Sequence, residues 1–169
     1  VGDRSGSVHA IDAETGDLIW KGAAGLFDAS MITGTPVLVG DKVFVPSSMA
    51  EIMMGANNAH ECCKTHGGVV ALDAMTGELV WDYHTMPMAE PVRDRGDGKM
   101  LYGPSGAPVW NSPSIDLARG QLYIGTGEAT SPPAHVNTDA LIAVDLETGE
   151  ENWAFQATAN DIYLVGCRS

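Results

Sequence analysis

The sequence predicts an all-β chain, a partial β-propeller of about two and a half four-stranded blades. Three observations predict it. The eleven-residue pattern Ala-x-Asp-x-x-Thr-Gly-x-x-x-Trp occurs three times without a gap, at Ala10–Trp20, Ala71–Trp81 and Ala143–Trp153. Apolar residues gather before each turn and resume after the first two, as strands require. Two further hairpin patterns stand between the copies, at residues 35–46 and 113–125. A strict internal repeat fixes architecture before any single residue is assigned a role.

Each element has its own reason. Val8, Ala10 and Ile11 lead into the first turn, and Leu18, Ile19 and Trp20 leave it. Val69–Leu72 and Leu141–Val144 lead into the other two. Asp12, Asp73 and Asp145 are expected to accept backbone N–H groups, as Asp does in Asx-turns. Gly16, Gly77 and Gly149 are expected to take the left-handed conformation that closes a short hairpin loop. Trp20, Trp81 and Trp153 are large flat side chains suited to packing on a neighbouring unit. Residues 1–22 read as the end of a blade, 34–84 as a blade with an insertion, and 111–156 as a blade. All belong to one propeller domain fragment, residues 1–169. The insertions are Ser48–Gly67 and Thr85–Trp110. A closed propeller needs at least about four blades, so we expect this chain to be an internal window of a larger protein. With an inter-blade face bare at each end, we expect the window alone to aggregate or stay partly open.

Nine Lys and Arg stand against 22 acidic residues, a formal charge of −13. Such a balance argues against a nucleic-acid partner, because binding phosphates takes Lys and Arg. No apolar run approaches the ~18 residues of a membrane span.

The adjacent pair Cys62-Cys63 carries the most specific chemistry. Three readings of it stand open. Neighbouring cysteines can close an eight-membered disulfide ring if the peptide between them distorts. Such a ring is a flat, polarisable surface that suits a planar cofactor. Alternatively, His60, Cys62, Cys63 and His66 are all zinc-type ligands, although their spacing is not that of a zinc finger. Two buried inert thiols are the plainest reading. Cys167 is left over and is expected to pair outside the window. Met49, Met53, Met54, Met86 and Met88 cluster in the insertions near His60 and His84. Packing is the favoured role for them, with a soft-metal site for copper as the alternative. The 94–99 segment reads as an exposed polar turn.

With these residues in place, the sequence resembles the quinoprotein dehydrogenases, eight-bladed propellers that use pyrroloquinoline quinone (PQQ). The three Trp segments resemble their tryptophan-docking motif. The cysteine pair running into the second motif, the stretch Tyr102–Trp110 and the stretch Leu122–Glu128 resemble the polyvinyl-alcohol dehydrogenase-like branch. The resemblance implies that Cys62 and Cys63 form a disulfide over one face of PQQ. It implies Ser105 and Thr126 as hydrogen-bond donors to the cofactor and Glu128 as a Ca²⁺ ligand, a role for which a carboxylate is suited. His66 stands where the family carries an Arg for a PQQ carboxylate, and could serve when protonated. The catalytic Asp, the Asn metal ligand and the Trp under PQQ would come from later blades. The implied whole protein is a periplasmic PQQ- and Ca²⁺-dependent dehydrogenase of secondary or polymeric alcohols, with a cytochrome c as electron acceptor. The alternative is a non-catalytic scaffold similar to a lipoprotein of outer-membrane assembly, which shares the blade motif and needs neither the cysteine pair nor Glu128.

Overall fold

The computed structural model describes residues 1–165. Cys167 and its pairing lie outside the described residues. Strands β1 (Ser7–Ile11) and β2 (Leu18–Ala23) form an antiparallel pair around the first motif turn. The next sheet contains β3 (Ser30–Met31), β4 (Val37–Val39), β5 (Lys42–Met49), β6 (Gly68–Asp73) and β7 (Leu79–His84). Both β3 and β4 pair with β5, at its two ends, and the sheet continues through β6 to β7. A short helix, α1 (Glu51–Met54), opens the insertion between β5 and β6. The second insertion is a hairpin, β8 (Glu90–Asp94) and β9 (Met100–Gly103), with a polar turn at its tip. After β10 (Ser105–Gly106) come β11 (Ser114–Asp116), β12 (Gln121–Gly125), β14 (Ala140–Asp145) and β15 (Glu151–Gln156), a four-stranded antiparallel meander. β13 (Ala129–Ser131) leaves that meander to pair with β10. The described residues are all-β apart from α1, and their sheets succeed one another as propeller blades do.

The repeated turn is built locally. Asp73 Oδ1 accepts the amides of Met75 and Thr76 at 2.9 and 2.8 Å, and the Thr76 hydroxyl oxygen accepts the Glu78 amide at 3.2 Å. Asp12 and Asp145 repeat this arrangement. These amide donors hold all three carboxyls below the usual carboxylate range. Gly16, Gly77 and Gly149 sit at φ of +78°, +75° and +75°. Each motif also carries a register shift just before its turn, as between Ala71 and Leu72.

The core lies between the sheets, and β6 shows why. Side chains alternate across a strand, and here both faces are buried. Val69 and Ala71 join Phe44, Trp81, Leu122, Ile124, Ile142 and Val144 on the side of the following sheet. Val70 and Leu72 join Val8, Ile32 and Val45 on the side of the preceding one. Each fully buried Val, Leu or Ile contributes roughly 1.5–3 kcal/mol. On β14 and β15, by contrast, Leu141, Trp153 and Phe155 are exposed.

Candidate functional site

The insertion after β5 returns to the sheet at Cys62. Cys62 and Cys63 are joined as a disulfide across a cis peptide bond. The ring is almost closed off from water, with Cys63 fully buried and Cys62 nearly so. Its backbone is held by Tyr102, whose N–H donates to the Cys62 carbonyl at 3.0 Å and whose carbonyl accepts the Cys63 amide at 3.4 Å. The pairing runs on. Gly106 donates to the Thr65 carbonyl and accepts the Gly67 amide, and Ala107 donates to the Glu128 carbonyl at 2.8 Å. Segments 62–67, 102–107 and 128–131 therefore lie side by side. Five of the six site residues expected from sequence (Cys62, Cys63, His66, Ser105 and Glu128) stand on them. Close backbone approach is needed here: a Cβ on Gly67 would lie within contact of the Ala107 carbonyl oxygen, and one on Gly106 would lie 2.5 Å from the Glu128 oxygen.

A residue not anticipated from sequence fixes the ring. Glu51, at the start of α1, is buried. Its Oε2 accepts the Lys64 amide, the Thr65 amide and the Thr65 hydroxyl, each at 2.7 Å. Its Oε1 meets His60 Nε2 at 2.8 Å. An oxygen that accepts three donors carries no proton of its own. One carboxylate thus ties the first residue of α1 to the segment on either side of the cysteines. Among the described residues, the metal-type donor atoms that converge are those of Glu51, Cys62 and Cys63, within 4.8 Å of one another. The disulfide occupies both sulfurs, and His60 and His66 are engaged elsewhere, so the four-ligand metal arrangement does not form here. The only sequence signal for Glu51 was one charge in the apolar run from Met49 to Met54.

His66 is fully buried. Its Nε2 lies 2.6 Å from Nδ1 of His84, and its Nδ1 has no hydrogen-bond partner among the described residues. Burial, with the neighbouring His84 and His135, pushes the His66 imidazole down to about 4. At neutral pH it carries no charge.

The hydroxyls are committed. Ser131 donates to the Tyr102 carbonyl at 2.6 Å, so the Ser105–Ser131 contact of 2.6 Å uses the Ser105 proton. Thr130 then supplies the proton of its own 2.6 Å contact with Ser105. Thr126 is not on segments 62–67, 102–107 or 128–131. Its hydroxyl donates to the Asn137 carbonyl at 2.6 Å and accepts the Ala140 amide at 3.0 Å, closing the base of the 126–140 excursion. Ser105 and Thr126 each have one proton, and each has spent it inside the protein.

Glu128 is half-buried, and its carboxylate makes no hydrogen bond or ion pair among the described residues. Asp139 stands near it, with φ of +49° and a buried Oδ2 that lacks a partner. Burial, and then the charges of Asp161 and Glu128, push the Asp139 carboxyl up. Of the insertion methionines, Met49 and Met86 pack inside, while Met53, Met54 and Met88 are exposed. His60 and His84 bond to Glu51 and His66 instead of facing them as a metal pair. Among the described residues, no helix is long and apolar enough to cross a membrane.

These groups fit one part of a planar quinone acid's surroundings. The disulfide gives a polarisable surface, and the unpartnered His66 Nδ1 gives a buried polar contact. His66 brings no formal charge at neutral pH, and Ser105 offers acceptor capacity only.

Comparison with known proteins places this geometry. Residues 24–165 match the family model for the PQQ-type glucose/ethanol/alcohol dehydrogenase β-propeller domain. The chain is 37% identical over 159 residues to a polyvinylalcohol dehydrogenase of a Pseudomonas species, covering 94% of this chain and 25% of the relative. A polyvinylalcohol dehydrogenase of Sphingopyxis sp. strain 113P3 is 36% identical over 159 residues, with 94% and 24% covered. Among solved structures, a quinohemoprotein alcohol dehydrogenase, ADHIIG of Pseudomonas putida HK5, superposes with a TM-score of 0.73 at 28% identity, over 95% of this chain and 25% of that one. The chain spans about a quarter of the length of these relatives. It belongs to the PQQ family of glucose, ethanol and alcohol dehydrogenase β-propeller domains.

Proposed function

We propose that the whole protein is a PQQ- and Ca²⁺-dependent dehydrogenase of secondary or polymeric alcohols, working in the periplasm and passing electrons to a cytochrome c. The observation that carries this is the Cys62–Cys63 ring, with the unpartnered His66 nitrogen on the same 62–67 segment, in a chain of the PQQ family. Two relatives named polyvinylalcohol dehydrogenase support the substrate class. When bound, PQQ supplies the two-electron acceptor for the alcohol's hydride.

This chain's share is placement and shielding. Cys62 and Cys63 would cover one face of the cofactor in a water-excluded setting, and His66 Nδ1 would meet a polar atom at its edge. Glu128 is the Ca²⁺ ligand we assign. Its carboxylate is unengaged among the described residues, Asp139 and Asp161 add negative charge nearby, and Ca²⁺ takes hard oxygen donors. A largely apolar groove lined by Pro87, Met88, Pro91, Val92, Pro104 and Pro133, with Glu90 as its charged member, begins at Gly103, one residue past Tyr102. We assign it to the wall of the substrate entrance. A catalytic base is expected elsewhere in the whole protein, so the chain by itself would be inactive.

The test is reconstitution of the full-length protein with PQQ and Ca²⁺, followed by alcohol-dependent dye reduction. Activity that needs both additions is the expected result. A protein that retains no quinone and reduces no dye would favour the scaffold reading.

A further inference from the structure

The pairing of Gly68 with His84 sets the end of β7 beside the residues that lead into β6. That register brings His66 Nε2 within 2.6 Å of His84 Nδ1. Phe27 stands edge-on to both rings, at 4.8 and 6.0 Å. His66 is wholly buried and its other nitrogen is unpartnered among the described residues, whereas His84 is half-buried. Buried polar atoms without partners are uncommon in folded proteins, and each calls for an explanation.

Two ring nitrogens at this distance share one hydrogen. A neutral imidazole has one N–H, so the shared hydrogen decides the state of the far nitrogen. If His66 Nε2 donates, its Nδ1 is a bare acceptor. If His84 Nδ1 donates, His66 Nδ1 must carry the hydrogen and becomes a buried donor. A proton added to His84 fills both of its nitrogens and selects the second arrangement. Phe27 brings no charge to the pair, and β10 brings Gly106 against His66. The 126–140 excursion brings His135, and β15 brings Glu151 beside His135. A buried donor with a protonated partner behind it recognises an anion. The bare acceptor repels one.

We propose that His66 and His84 form a proton-linked anion site, in which a carboxylate binds at His66 Nδ1 while His84 takes one proton from solvent. No covalent bond changes. For the identity of the ligand the inference rests on the quinone reading above, PQQ being a tricarboxylic acid. The dyad itself rests on the geometry.

The probe is PQQ, titrated into the full-length protein by calorimetry from pH 6 to 8, in buffers of different ionisation enthalpy. Uptake of close to one proton per quinone is expected, with affinity falling up to about tenfold per pH unit as pH rises. His84→Asn places an amide N–H where His84 Nδ1 stands, a permanent donor to His66. It should keep binding and abolish the proton uptake. His84→Phe supplies no donor and should weaken binding about tenfold or more. Quinone binding with no proton uptake in the unaltered protein, or with uptake unchanged in His84→Asn, overturns the dyad and leaves the quinone reading standing. If no quinone binds, that reading falls, and the dyad is judged by ¹⁵N NMR of the ligand-free protein. Acidification should then shift His66 to its Nδ1–H tautomer in step with protonation of His84. Two rings titrating independently would overturn it.

Discussion

The indole of Trp81 lies across Gly149 and donates its Nε1–H to the Leu146 carbonyl at 3.2 Å, the same device by which Trp20 lies on Gly77 and bonds the Ala74 carbonyl at 3.0 Å. The Trp that ends one motif docks on the turn that centres the next. The motif glycine therefore has two duties. It takes a positive φ, and it leaves room for a ring.

Those duties can be separated by substitution. A Cβ on Gly149 would lie 2.7 Å from Trp81 Cε3, and one on Gly77 would lie 2.5 Å from Trp20 Cε3. Gly16 has nearly the same φ but nothing within 4 Å. Gly16→Ala should cost about 1–2 kcal/mol, from backbone conformation alone. Gly77→Ala and Gly149→Ala should each cost about 1–3 kcal/mol more, from the forced contact. Denaturant unfolding of the three variants checks this. Equal losses at all three positions would mean that the indoles do not depend on that space.

Glu51 gives a second prediction. Removing its carboxylate leaves the Lys64 and Thr65 amides without an acceptor next to the cysteine ring, and leaves the Thr65 hydroxyl only the Met49 sulfur at 3.6 Å. Glu51→Ala should destabilise the protein by about 3–5 kcal/mol. It should also speed reduction of the Cys62–Cys63 disulfide by a neutral phosphine, because the insertion loses its pin. Thr65→Val removes one of the three bonds and should cost about 1–3 kcal/mol. The readouts are melting curves and mass spectrometry of alkylated thiols. A Glu51→Ala protein with unchanged stability and reduction rate would mean that the ring is positioned without it.

What the sequence could show followed the range of the interactions. Asp73, Thr76 and Gly77 were readable because their partners lie within five residues, so composition and spacing carry the whole turn. That Trp20 and Trp81 pack on a neighbouring unit was readable too, but their acceptors, Ala74 and Leu146, lie in the following motif, 54 and 65 residues on. The cysteine ring was visible as a dipeptide, whereas its pin was not, since Glu51 acts across 13 and 14 residues of an irregular insertion. His84 was noticed only for its nearness to methionines. Its partner follows from hairpin register: Ala71 opposite Trp81 sets Gly68 opposite His84, two residues from His66. Ser105 and Thr126 show the opposite limit. A hydroxyl in a motif looks free until a neighbouring strand (for Ser105) or the loop's own return (for Thr126) supplies the hydroxyl or carbonyl that uses its proton.

Tyr83 should report the junction between the two larger sheets. Its hydroxyl donates to Glu151 Oε2 at 2.5 Å, and Asn137 Nδ2 donates to the same oxygen at 2.7 Å. Burial, then the Glu151 carboxylate, push the Tyr83 phenol well above the ordinary tyrosine range. An unfolded tyrosine ionises near ~10, so above that pH the unfolded chain loses a proton that the folded one keeps. Tyr83 thus adds stability that is whole below about pH 10 and is lost as pH rises, by up to about 1.4 kcal/mol per pH unit. Tyr83→Phe should cost about 1–3 kcal/mol at pH 7 and flatten this alkaline slope. Urea unfolding at pH 8, 10 and 11 measures both effects, and an unchanged slope in the variant would place the alkaline loss elsewhere.

His66 predicts the opposite pH dependence on the acid side. Its imidazole is held at about 4, while the same ring in an unfolded chain titrates near ~6.5. Between these values the unfolded chain binds a proton that the folded protein refuses, so stability falls as pH drops. The loss begins near pH 6.5 and is complete near pH 4, with a size of roughly 3 kcal/mol. His66→Asn keeps a polar side chain of similar reach without a group that titrates there. It should lower stability at pH 7, because the ring's packing on Phe27 is gone, yet lose less than the unaltered protein on going to pH 4.5. Unfolding curves of both proteins at the two pH values decide it. Parallel losses would show that His66 is protonated as readily folded as unfolded, and would remove the physical basis for treating its buried nitrogen as neutral.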